Sequence, residues 1–319
     1  MSLHPQIVSL LAKIDRPGAT PFHLLSVAQQ REANNLMHFG LRPPPPDVAL
    51  ASESAMARPE GQGGDLRYRH YRPWHDDPSA RLPVLLWFHG GGWTIGNIES
   101  YDVMCRELAN FSGCAVISVA YRLAPENPFP AAVDDAFFAV NWVAEHADRL
   151  HIDPVHIAVG GDSAGGNLAA SVCLMARDAQ KGLKIAFQLL VYPSTDQRGS
   201  RPSHSRYANG YLLTQESIRH FQRCYLQRDE DYTDWRASPF LAADHTRLPP
   251  AYILTASHDP LVDDCNAYAE KLREAGVAVE ERCFAGQVHG FLTLGKFITG
   301  ANTAVKAMGE ALKRALDPA

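Results

Sequence analysis

The chain has 319 residues, 46% of them hydrophobic and 20% charged, enough apolar surface for a sizeable core and too much for wholesale disorder. A formal net charge of −5, with no block of like charges, argues against a general nucleic-acid binder. No stretch approaches the ~18 uninterrupted apolar residues that a transmembrane helix needs.

From the N-terminus, residues 5 to about 40 read as two amphipathic helices separated by Pro17, and four prolines (43–46) form a stiff, extended connector. Residues 65–72 (DLRYRHYR) alternate as an early antiparallel strand does. Strand-like runs follow at 83–88, 115–121, 156–160, 185–191, 251–257 and 278–284, with helix-length stretches at about 101–112, 131–148, 165–179, 261–275 and 298–315. Strands alternating with helices imply right-handed crossovers and a mostly parallel sheet covered on both faces, an α/β fold. Residues 194–249 break the rhythm. They carry no strand signal, and one helix is expected at 215–226, opened by Thr214 as N-cap with Glu216 in its first turn. That insertion and the N-terminal helices are expected to form a lid over the carboxyl ends of the strands. The six cysteines (105, 114, 173, 224, 265, 283) show no C-x-x-C spacing and mostly lie in apolar runs, so free thiols in a reducing compartment are expected. The first residues lack the basic region and long apolar core of a signal peptide, and a soluble, cytoplasmic protein is expected.

Two short stretches carry the chemistry. GGDSAGG at 160–166 contains a G-x-S-x-G centred on Ser163, with an apolar run before it and a helix-like run after it. Alone, the pentapeptide arises by chance in roughly one chain in ten of this size. A strand, a glycine-pinched turn and a helix are the context of a nucleophile elbow. HGGGW at 89–93 follows the strand-like VLLWF and fits a loop that offers backbone N–H groups to an oxyanion. A serine hydroxyl needs a base, and in this chain order the acid comes first and the histidine last. Asp259 follows the strand at 251–257 at once and Pro260 stiffens its turn, while Asp263 and Asp264 suit the first turn of the next helix. His289 lies in the loop after the strand at 278–284; His258, beside Asp259, is its rival. There is no H-E-x-x-H, Walker loop or G-x-G-x-x-G after a strand, so neither a metal nor an organic cofactor is expected.

HGGGW (89–93), YRLAPE (121–126), FPAAVDDA (129–136), GDSAGGNLA (161–169), YPSTD (192–196), DPLVDD (259–264) and HGF (289–291) together resemble the bacterial branch of the hormone-sensitive lipase family. The resemblance spans roughly residues 80 to 295 and implies an α/β-hydrolase fold with a helical cap. Residues 1–50 would be an N-terminal cap segment and 51–319 the catalytic domain, with a cap insertion at about 195–230. It further implies a Ser163, His289 and Asp259 triad, with Gly91, Gly92 and Ala164 as oxyanion donors. The activity implied is serine carboxylesterase action on short- to medium-chain acyl esters. One departure is Asp264-Cys265, where many relatives have Glu-Gly. Trp93, Leu212 and Phe291 are expected to line the substrate pocket, with Tyr211 and Leu213 beside Leu212. His89 and Asp162 read as residues that hold the loops in place; Tyr121, Arg122, Asp134 and Asp135 read as structural polar contacts. The strand at 278–284 is expected to be an edge able to pair in a homodimer, a contact that relatives use. An amidase or deacetylase on the same triad is the nearer alternative. A non-catalytic receptor, as in the gibberellin receptors that resemble this family, is the remoter one, since loss of the triad histidine marks that class and His289 is present.

Overall fold

The computed structural model describes residues 2–14, 18, 20–59, 61, 63–179 and 183–317; Pro17, the expected break between the first helices, lies outside them. Eight strands are described: β1 (Leu50–Met56), β2 (Leu66–Arg72), β3 (Leu82–Phe88), β4 (Ala115–Val119), β5 (Ile152–Asp162), β6 (Phe187–Val191), β7 (Ala251–His258) and β8 (Val279–Val288). They form one sheet in the order β1-β2-β4-β3-β5-β6-β7-β8, antiparallel at β1/β2 and β2/β4 and parallel elsewhere. The strands β4 (AVISV) and β6 (FQLLV) are buried at every residue, as strands covered on both faces must be.

The helices are α1 (Pro5–Ile14), α2 (Val27–Leu41), α3 (Ile98–Ser112), α4 (Ala131–Glu145), α5 (Ala147–Leu150), α6 (Ala164–Asp178), α7 (Pro202–Arg206), α8 (Gln215–Tyr225), α9 (Val262–Glu274) and α10 (Thr299–Leu316). The chain steps from β3 to β4 in one direction and from β4 past β3 to β5 in the other. Crossovers of one hand then place α3 on one face and α4, α6 and α9 on the other. That reversal opens a crevice at the carboxyl ends of β3 and β5, where open α/β sheets bind ligands. Side-chain and glycine caps bound the helices, at Thr214 as the sequence led one to expect. Asn97 accepts the Ser100 N–H at 2.8 Å to open α3, and Gly113 ends it at φ +75°. Thr214 accepts the Ser217 N–H at 3.2 Å to open α8.

The described N-terminal helices and the insertion meet over the crevice. Ser26 and Gln29 form a capping box at the start of α2. Gln30 on α2 lies 3.0 Å from His220 on α8, and Phe22 meets Phe221 edge-on at 6.3 Å. Arg31 anchors α2 to the core: its guanidinium donates to the carbonyls of Thr94 (2.9 Å) and Ala124 (3.1 Å) and grips Glu126 at 2.7 and 2.8 Å. Two readings change in detail. The strand β1 was not expected; LASESAM is exposed along most of its length and borders only β2, so no apolar alternation marks it. The helix expected at 131–148 is interrupted at His146 and continues as α5. Among the described residues no helix is long and apolar enough to cross a membrane. Of the six free thiols four are buried, Cys224 is half-buried and Cys283 on β8 is exposed.

Candidate active site

Ser163 occupies the N-cap position of α6, yet its side chain caps nothing. Its backbone is held at φ +54°, ψ −116°, a strained conformation for a residue with a Cβ. The turn is tight enough that a Cβ on Gly161 would strike the Gly165 backbone, and one on Gly165 would strike the Phe88 carbonyl. Freed from capping, Ser163 Oγ lies 2.8 Å from His289 Nε2. His289 Nδ1 lies 2.7 Å from Asp259 Oδ2, and Asp259 is fully buried, its other oxygen accepting the Leu261 N–H at 2.8 Å. A serine, an imidazole and a carboxylate in this order can pass a proton from hydroxyl to ring while the carboxylate fixes the tautomer. Three loops, after β5, β7 and β8, supply the three groups. The Tyr192 ring tilts over His289 at 4.5 Å. His258 is elsewhere: its Nδ1 pairs with Ser257 Oγ at 2.9 Å and its ring packs near Tyr207 and Tyr211.

The loop after β3 runs beside Ser163 with Gly91 at φ +118° and Gly92 at φ +57°. Among the described residues no carbonyl or side chain accepts the N–H of Gly91, Gly92 or Ala164. Ala164 is the first residue of α6, so its N–H also carries the positive end of the helix dipole. Asp162 joins the elbow to this loop, accepting from Gly90 N–H at 2.8 Å and Tyr101 O–H at 2.8 Å. Burial pushes its carboxyl up to about 6, against the pull of those bonds. His89 stacks on Tyr121 at 4.3 Å and donates from Nδ1 to its neighbour's carbonyl at 2.8 Å; burial lowers its pKa to about 4. Arg122 closes bidentately on the buried Asp135 at 2.7 to 3.0 Å, a structural contact.

A cavity of about 400 Å³ opens over Ser163. Its walls include Phe22 and Met37 of the N-terminal segment, Leu212, Leu213 and Phe221 of the insertion, and Trp93, which stacks on Tyr225 at 4.4 Å. Phe291, expected in the wall, is a correction: it is fully buried beneath the site, packed against Tyr192 and Phe284. Gly290, itself part of the cavity lining, stands at φ +76° immediately after His289, and Thr293 lines the cavity again beyond Phe291. Asn34, Met37 and His38 of α2, and Gln197 and Gln222 of the insertion, line the cavity without having been picked out in the sequence. Asn34, Met37, His38 and Gln222 lie on helices whose orientation depends on distant contacts, and Gln197 lies in the loop before α7. Among the described residues no group of three or more His, Cys, Asp or Glu side chains is arranged to hold a metal ion.

A family model described as the alpha/beta hydrolase fold matches residues 85–293. The chain belongs to this family. Among relatives of this α/β-hydrolase, the carboxylic ester hydrolase LipN of Mycobacterium tuberculosis is 43% identical over 263 residues, covering 80% of this chain and 69% of LipN. The ethyl acetate hydrolase of Pseudomonas putida is 35% identical over 99% of this chain and 100% of its own length. An ester hydrolase from the metagenome of Lake Arreo, solved with a bipyridine phosphonate derivative, superposes with a TM-score of 0.94 at 40% identity over 99% of this chain and 100% of that one. This α/β-hydrolase is an esterase of the hormone-sensitive lipase type, a carboxylic ester hydrolase.

Proposed function

We propose that the hydrolase cleaves short- to medium-chain acyl esters through an acyl-enzyme on Ser163. The observation that carries this reading is the line of hydrogen bonds from Ser163 Oγ to His289 Nε2 (2.8 Å) and from His289 Nδ1 to Asp259 (2.7 Å), at the floor of the cavity. With Nδ1–H donated to the Asp259 carboxylate, Nε2 takes the Ser163 proton as the oxygen attacks the ester carbonyl. The N–H groups of Gly91, Gly92 and Ala164 receive the oxyanion, roughly 3–4 kcal/mol for each essential donor. His289 then gives its proton to the leaving alcohol, and water repeats the sequence in reverse to free the acid. A cavity of about 400 Å³ sits near the lower end of the roughly 300–1,000 Å³ range of ligand pockets. That size, with the apolar wall of Phe22, Met37 and Phe221, favours short to medium chains over long ones.

The test is hydrolysis of a p-nitrophenyl ester series from C2 to C16, with an aryl acetamide alongside and Ser163→Ala as control. Activity is expected to peak at short to medium chains and to fall by a factor on the order of 10⁴–10⁶ in Ser163→Ala; His289→Ala should cost about as much, and the double variant little more. Amide turnover at comparable kcat/KM would make the enzyme an amidase. Turnover that survives Ser163→Ala would refute the serine mechanism.

A further inference from the structure

The insertion grips the loop that carries Asp259. Its short helix α7 lies against the first turn of α9. Ser203 Oγ donates to the Pro260 carbonyl at 2.6 Å, Ser203 N–H donates to Asp263 Oδ2 at 2.8 Å, and Asp263 N–H returns to Ser203 Oγ at 3.3 Å. His204 Nε2 lies 2.6 Å from Asp264 Oδ2, both side chains being almost wholly buried. Thr195 Oγ1 adds a bond to the Asp264 carbonyl at 3.3 Å. These contacts hold Pro260, Asp263 and Asp264, three of the five residues that follow Asp259. The neighbouring charges leave His204 as the directed partner. Arg201 Nε stands 3.2 Å from Asp264 Oδ1 without completing a hydrogen bond, and Asp196 is engaged with Arg198 at 2.7 Å.

A buried histidine–carboxylate pair contributes little net stability, because desolvation offsets the attraction; what it supplies is a fixed geometry. Asp259 needs such a geometry, since among the described residues its carboxylate has two hydrogen-bond partners, Leu261 N–H and His289. The same insertion continues to Leu212 and Leu213 in the cavity wall. We propose that Ser203 and His204 are positioning residues for the reaction, setting the register of the Asp259 loop and tying it to the wall that encloses the substrate. This rests on the triad reading given above.

The experiment compares kcat and KM for p-nitrophenyl butyrate in His204→Ala, His204→Gln and Ser203→Ala. A displacement of about 1 Å in a catalytic group can cost about 10²-fold in rate. His204→Ala is expected to lose about tenfold or more in kcat with KM changed less than about twofold. His204→Gln, whose amide N–H can reach Asp264, is expected to recover kcat to within about threefold of the parent. Ser203→Ala is expected to lose about three- to tenfold in kcat, and it carries the test if His204→Ala fails to fold. Arg228→Gln, which breaks the Arg228–Asp231 pair elsewhere in the cap, serves as control and is expected to leave kcat unchanged. Unchanged kcat in both His204→Ala and Ser203→Ala, a loss expressed in KM alone, or a loss that glutamine does not recover would overturn the proposal. Wild-type turnover that requires Ser163 but ignores these variants refutes the clamp alone, whereas turnover that survives Ser163→Ala refutes the triad beneath it.

Discussion

Replacing Asp162 by alanine removes the acceptor for both Gly90 N–H and Tyr101 O–H in a buried corner of the cavity lining. A buried polar group left without a partner costs about 1–3 kcal/mol, so the two together put the loss at about 2–6 kcal/mol. The lower half applies here, because Gly90 N–H keeps a 3.1 Å contact with the Tyr101 oxygen. The larger effect should be on rate. Gly90 leads directly into Gly91 and Gly92, and a displaced oxyanion donor costs about 10²–10³ in kcat. Asp162→Asn has the same shape, keeps an oxygen for Gly90 N–H and turns its amide toward the Tyr101 oxygen, so its kcat should stay within about fivefold of the parent. The charge has its own signature. Burial raises the Asp162 carboxyl from an ordinary 3.8 to about 6, so ionisation in the fold costs about 3 kcal/mol at pH 8, at 1.36 kcal/mol per pH unit. Because the folded pKa lies above the unfolded one, this cost shrinks as pH falls through 6, by about 1.4 kcal/mol at pH 5. Asparagine never ionises, so its Tm advantage over the parent should be greatest at pH 8 and smaller at pH 5. Thermal unfolding at the two pH values, with kcat for p-nitrophenyl butyrate, tests both halves. A pH-independent Tm gap, or wild-type kcat in Asp162→Ala, would refute the reasoning.

Gly92→Ala should lower kcat by about 10²-fold, since the new Cβ meets the Phe221 ring and the residue sits at φ +57°. Adding Phe221→Ala removes the ring but leaves the residue 221 Cβ 2.7 Å from the new one, and the backbone strain persists, so recovery should be partial at most; kcat within about threefold of the parent in Gly92→Ala would count against a role for this loop. His38, His70 and His89 are each lowered to about 4, first of all by burial. A depressed histidine is neutral in the fold, so its contribution to stability is complete above the unfolded value near 6.5 and is lost as pH falls toward 4, about 2 kcal/mol each at pH 5. His70 on β2 is distant from the chemistry, so His70→Gln should reduce the fall in Tm between pH 7.5 and pH 5; equal falls in variant and parent would exclude this source of acid sensitivity.

The parts of the molecule that were legible in the sequence are those fixed by local chemistry. The buried parallel strands announce themselves as apolar runs, and the glycines around Ser163 and at 90–92 mark turns that no other residue can make. Asp259 could be chosen because it follows its strand directly and His289 because it lies in the loop after the next one, and the structure brings both to Ser163. The edge strand β1 was illegible because its residues face solvent and no burial constrains them. Phe291 was misplaced for a different reason: a glycine beside it leaves the backbone direction unspecified by the sequence, and in the structure the ring lies in the core. The cavity-lining face of α2 could not be read from its own periodicity, because Arg31, reaching Thr94, Ala124 and Glu126, sets how the helix lies. The bond between His204 and Asp264 joins residues sixty apart in the chain, which spacing alone does not reveal.

The N-terminal segment has a bearing on how the protein is made. The described residues within 4–31 are made before their partners Thr94, Glu126, His220, Gly286 and Thr299, which follow at separations of up to nearly three hundred residues. Domains fold as their chain emerges, but contacts this distant must wait for both halves to exist. The start of α1 therefore completes its docking only once Gly286 and Thr299 have been made, whereas the ties of α2 to Thr94, Glu126 and His220 can form earlier. A chain cut before residue 286 leaves the His4 N–H without its carbonyl partner and Gln6 without Thr299, so the segment that roofs Ser163 loses its most distant ties.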